Sequence, residues 1–70
     1  MKNELAFNLR NLRNKYGYSQ QIISDGFNMT RAKYSSYEEA RAEPNINMLK
    51  RIADFYEITI DELCFKKLKL

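Results

Sequence analysis

Seventy residues suffice for one domain, and a chain this short buries roughly 60% of its unfolded surface, so a helical bundle or a homodimer is the economical route to stability. A hydrophobic share of 44% beside 30% charged residues is that of an ordinary soluble globule and excludes a disordered tail. With no histidine and one cysteine, Cys64, the chain lacks the parts for a zinc site, for Ser/His or Cys/His catalysis and for an internal disulfide. No enzyme activity, cofactor, metal or small-molecule ligand is expected, and a reducing cytoplasm is the simplest setting. No apolar run approaches the roughly 20 residues of a membrane span, and no signal-peptide pattern precedes the first helical segment.

From Asn3 to Tyr16 the spacing of Leu5, Leu9, Leu12 and Tyr16 predicts one apolar stripe of a helix ended by Gly17. Arg13 borders that stripe, and Phe7 points nearly the opposite way. Tyr18 leads into Ser19, a helix cap, after which Ile23 and Phe27 share a buried side with small Ser24 next to them. Asn28 tolerates the left-handed backbone of a sharp turn, so the corner is Asn28 and Met29. Thr30 caps the next helix. At 100° per residue that helix turns Tyr34 and Tyr37 one way, with Glu38 at the edge, and Ala32 and Ser36 the other. Arg31, Lys33 and Ser35 flank this outer ridge. Two short helices joined by a tight turn form a helix-turn-helix, whose second helix enters the DNA major groove.

The turn-rich stretch EARAEPN follows, closed by Pro44, and Asn45 is the expected cap of a fourth helix with Ile46, Leu49, Ile52, Ala53 and Tyr56 on one face. Met48 and Phe55 form a second stripe that either packs under the tail or makes a contact surface; with Phe7 they are the candidate dimer surface. Thr59 and Glu62 fit a capping box that starts a fifth helix burying Ile60 and Leu63. The ending FKKLKL reads first as a frayed helix end, and otherwise as a short strand pairing with a copy of itself or a basic tail near phosphate. Charge is uneven: residues 1–41 carry seven cations against four acids, and residues 42–64 carry two against five. The excess of cations lies on the half holding the outer ridge, as attraction to phosphates requires, although solvated lysines give the same count.

With these pieces placed, the chain resembles the lambda-repressor-like, XRE-type helix-turn-helix family through LRNKYGYSQ, NMT, YEEARAEP and ADFYEITIDEL, over residues 5 to 63. The resemblance implies an all-α, compact five-helix DNA-binding domain at 1–64 with a short basic tail at 65–70. It implies a transcriptional regulator, a repressor, that binds double-stranded DNA as a homodimer. Gln20 falls on a phosphate or flanking base and Thr30 at the head of the reading helix. Arg31, Ala32 and Ser36 fall on base-reading positions, Lys33 and Ser35 on neighbouring contacts, and Arg41 on a loop touching the backbone. Arg13 and Glu38 match a pair tying the first helix to the third. Ala40 stands where glycine is usual, so the left-handed cap there is expected to be strained or absent, and Glu39 and Glu43 add negative charge beside phosphate. The other class is a protein-interaction module, antitoxin-like, with weak DNA binding.

Overall fold

Helix starts in this chain are written in side chains that accept a backbone N–H three residues on. Ser19 accepts from Ile22 at 3.0 Å, Thr30 from Lys33 at 3.1 Å, Asn45 from Met48 at 2.9 Å and Thr59 from Glu62 at 3.0 Å. Glu62 Oε1 accepts from the Thr59 N–H in return, which completes the expected capping box. A computed structural model describes residues 4–68 and places five helices there: α1 Leu5–Lys15, α2 Gln20–Gly26, α3 Arg31–Glu38, α4 Ile46–Phe55 and α5 Ile60–Phe65. The expected start of the first helix at Asn3 lies outside the described residues, as do Lys69 and Leu70 of the tail. Among the described residues no side chain caps α1; its N-cap residue, Glu4, donates its N–H to the Cys64 carbonyl at 2.7 Å.

Four helix ends share one device. A left-handed residue follows the C-cap at Gly17, Asn28, Ala40 and Glu57, with φ of 76°, 59°, 59° and 57°. The next N–H then reaches back into the last turn, Tyr18 to Arg13, Met29 to Ser24, Arg41 to Ser36 and Ile58 to Ala53. The cap at Ala40 is thus present, and it carries the strain of a side chain in that conformation, about 1 kcal/mol or more. Tyr18, Met29 and Ile58, which close three of these ends, pack on the core, whereas Arg41, which closes the fourth, is exposed.

The core joins Leu5, Leu9 and Leu12 of α1 to Ile23, Phe27, Tyr34, Tyr37, Ile52, Ala53, Tyr56, Leu63 and Cys64. Helix α1 packs on α3 and α5, α2 on α3, and α4 on α5. Four expected core members lie outside it: Leu49 and Ile60 are half-buried against it, and two are exposed. Ile46 is 63% exposed because it is the first residue of α4 and its side chain leans back past the helix start. Tyr16 is 51% exposed, beyond the end of α1, with its ring stacked on Tyr18 and Tyr56. Phe7, expected to look outward, is half-buried with the Lys67 ammonium 4.9 Å from its ring centroid. Met48 is half-buried against the core. Phe55 stays 47% exposed although Phe27 and Tyr56 meet its ring edge-on.

Asn8, a polar residue inside the leucine stripe, is wholly buried. Its Nδ2 donates to the carbonyls of Leu63 at 2.8 Å and Lys66 at 2.7 Å, and its Oδ1 accepts the Leu68 N–H at 3.0 Å. Beyond α5 the chain is therefore extended at Lys66 and held on α1, with Leu68 packed on the core. Among the described residues no helix is long and apolar enough to cross a membrane.

Candidate nucleic-acid interface

Helix α3 is pinned by its back. Tyr34 and Tyr37 are buried in the core, and Glu38 beside them is 1% exposed. Thr30, Arg31, Ala32 and Lys33 are exposed on the other side, and Ser35 and Ser36 are half-exposed. Among the described residues neither the Arg31 guanidinium nor the Lys33 ammonium has an ion pair or hydrogen bond. The ridge expected from the helical period is thus formed, with two uncommitted cations on it.

The Glu38 carboxylate is the hub beneath this ridge. Arg13 grips it with two bonds, Nε to Oε2 at 2.7 Å and Nη2 to Oε1 at 3.1 Å, while its Nη1 donates to the Tyr18 carbonyl at 2.9 Å. Gln20 Nε2 donates to the same Oε1 at 3.0 Å, so the residue expected near DNA also holds the start of α2 to the end of α3. Arg10, which carried no sequence signal beyond lying one turn before Arg13, donates from Nη1 to the Glu38 carbonyl. Burial alone would raise the Glu38 pKa; the bonds from Arg13 and Gln20 and the guanidinium charge outweigh it and hold the carboxyl below its ordinary range. The same bond raises the Arg13 pKa. Burial pushes the Tyr34 hydroxyl up, and the nearby carboxylate pushes it further, although that hydroxyl reaches no acceptor at hydrogen-bonding geometry among the described residues.

At the far end of α3, Ser35 Oγ donates to Glu39 Oε2 at 2.9 Å and Arg41 Nε donates to Glu39 Oε1 at 2.9 Å. Those two donors and the Arg41 charge hold the exposed Glu39 carboxyl below its usual range. Ser36 Oγ donates to the Lys33 carbonyl at 2.6 Å. The structure thus brings Arg13, Gln20 and Glu38 into one cluster and Ser35, Glu39 and Arg41 into another, both at the C-terminal end of α3, and leaves Arg31, Ala32 and Lys33 open in its first turn. Among the described residues no group of acidic, cysteine or histidine side chains is arranged to hold a metal.

A helix capped by Thr30, seated on a second helix and presenting a polar outer ridge is the architecture of a helix-turn-helix domain. The helix-turn-helix family model matches residues 9–63, and the chain belongs to that family, of the Cro/XRE type. Its relatives include the SPbeta prophage-derived HTH-type transcriptional regulator YonR of Bacillus subtilis, 34% identical over 79% of this chain and 51% of that protein. The cryptic phage CTXphi transcriptional repressor RstR of Vibrio cholerae is 36% identical over 80% of this chain and 50% of its own length. A crystal structure of a transcriptional regulator from Listeria innocua superposes with a TM-score of 0.85 at 27% identity, covering 90% of this chain and 59% of that one. The chain spans about half the length of the curated relatives it matches.

Proposed function

We propose that this chain is a sequence-specific double-stranded DNA-binding transcriptional regulator, acting as a repressor, that reads the major groove with α3. The observation that carries this reading is the outward ridge of Arg31, Ala32, Lys33, Ser35 and Ser36 on a helix whose back is locked by Tyr34, Tyr37 and Glu38. Family membership and the names of the relatives support it. Arg31 takes guanine O6 and N7, Ala32 meets a thymine methyl, and Ser36 bonds to a base edge. Thr30, Gln20, Lys33 and Arg41 serve the flanking bases and phosphates, which fix the register, and Ser35 meets a neighbouring base. In this reading residues 1–64 are the DNA-binding unit and 65–70 its basic tail.

A body of 25 × 24 × 19 Å covers one half-site, and two half-sites about one helical turn apart, roughly 34 Å, call for a second copy. The homodimer would meet through apolar surface left uncovered. Of the three residues the sequence offers, Phe7 and Met48 are half-buried, so Phe55, beside Ile22 at 58% exposure, is the better contact. The test is selection from a random duplex pool with purified protein at two salt concentrations. We expect enrichment of an inverted repeat with half-site centres one turn apart, and binding that weakens steeply as salt rises. A pool that stays random, with binding indifferent to salt, would overturn the reading.

A further inference from the structure

A serine or threonine hydroxyl can donate and accept, and its neighbours decide which half remains for a ligand. On α3 the neighbours have decided. Thr30 Oγ1 is taken as an acceptor by the Lys33 N–H at 3.1 Å, and among the described residues nothing takes its proton. Ser36 is the reverse case: its Oγ lies 2.6 Å from the Lys33 carbonyl, an oxygen with no proton to give, so the hydroxyl proton sits between them. Ser35 Oγ lies 2.9 Å from Glu39 Oε2, and that carboxyl, held below its usual range, is ionised at neutral pH and likewise only accepts. Both interior serines therefore face outward with lone pairs alone. They lie one turn along from Ala32, on either side of it, where the ridge stands furthest from the tyrosines.

The geometry points to Ser36, with Ser35 beside it, as an acceptor-only reader that selects an exocyclic amino group, N6 of adenine or N4 of cytosine, in the major groove. This rests on the DNA-binding reading above and adds to it a sign. A serine on a recognition helix ordinarily bonds to donors and acceptors alike. Here the Lys33 carbonyl removes one of those choices, so an ambiguous residue becomes a specific one. Arg31 has only donors and asks for the opposite partner, guanine O6 and N7. The ridge thus reads acceptors with Arg31 and donors with Ser36, and the Thr30 hydroxyl, with its proton free, suits a phosphate oxygen.

Every base pair offers both a donor and an acceptor in the major groove, so sequence preference alone cannot show the sign and single-atom changes must. Wild type and Ser36→Ala are first taken through the same random-pool selection, which identifies the base pair whose preference the variant loses. Ser36 is half-exposed and alanine is the best helix former, so the variant keeps the fold. At that pair the exocyclic amine is then replaced by hydrogen, with purine for adenine or pyrimidin-2-one for cytosine, and in a separate duplex the N7 is removed with the 7-deaza purine. Loss of the amine should weaken wild type by about three- to tenfold more than it weakens Ser36→Ala, the value of one hydrogen bond, and loss of N7 should leave both unchanged. Weakening by the 7-deaza base and not by the missing amine would overturn the inference, as would a variant that loses preference at no pair. Failure of the underlying reading looks different, because wild type itself would then enrich no sequence.

Discussion

Glu38 is a carboxylate taken almost wholly out of water, and the cost of that burial is met by side chains from two other helices. Arg13 supplies a fork and Gln20 a third donor, so both oxygens are satisfied, and removal of one partner would leave an uncompensated charge. Glu38→Gln should lower stability by roughly 3 kcal/mol at neutral pH. The pH dependence follows from the depressed pKa of the folded state. The Glu38 contribution is fully present above the unfolded carboxyl value, near 4.5, and is lost as pH falls through the lower folded value. Urea unfolding of wild type should therefore weaken below about pH 4.5, while Glu38→Gln starts lower and falls more gently. Equal acid sensitivity in both would place the linkage elsewhere, for instance at Glu39 or Glu62, whose carboxyls are also held low by hydrogen bonds.

Helix α1 is the element on which α3 and the segment after α5 both depend, one through Arg13 and the other through Asn8. The Asn8 amide bonds the Lys66 carbonyl and the Leu68 N–H as a neighbouring strand would, and also takes the Leu63 carbonyl at the end of α5. Asn8→Ala removes partners from three backbone groups and should cost about 2–4 kcal/mol, part of it regained where the released tail meets water. Amide exchange at Leu68 should quicken far more than exchange at Tyr34; uniform quickening would show that the tail is no separate unit. Such arrangements mark the limit of what the sequence could show. The caps at Ser19, Thr30, Asn45 and Thr59, the leucine stripe and the two inward tyrosines were legible because they are local and periodic. Asn8 was not, since its partners lie more than fifty residues away and a polar residue within an apolar stripe looks like an interruption. Nor were the hydroxyl bonds of Ser35 and Ser36, which depend on rotamers rather than spacing. The left-handed turn at Glu57 had no glycine to announce it; at Ala40 position alone gave the clue.

Across the whole molecule the charges sort the cations by how free they are, and that ordering predicts distinct behaviours on DNA. Among the described residues Arg31 and Lys33 have no partners on the ridge, whereas Arg41 is paired with Glu39 in the exposed turn after α3. An exposed pair of this kind is worth little by itself and gives way readily to a phosphate. Arg41 should then contribute one backbone contact: Arg41→Ala weakens every duplex by a similar factor and lowers the slope of log affinity against log salt by about 1. Arg31 should behave otherwise, because a fork on guanine is a base contact. Its replacement by alanine should leave weak binding to scrambled duplex nearly unchanged and cost the selected sequence about 1–3 kcal/mol, concentrated at one guanine. Fluorescence titrations of both variants on selected and scrambled duplexes, at four or so salt concentrations, separate the two roles. If both variants lose affinity in parallel on both duplexes, Arg31 is a phosphate contact, and the ridge positions the protein without reading the base it was assigned.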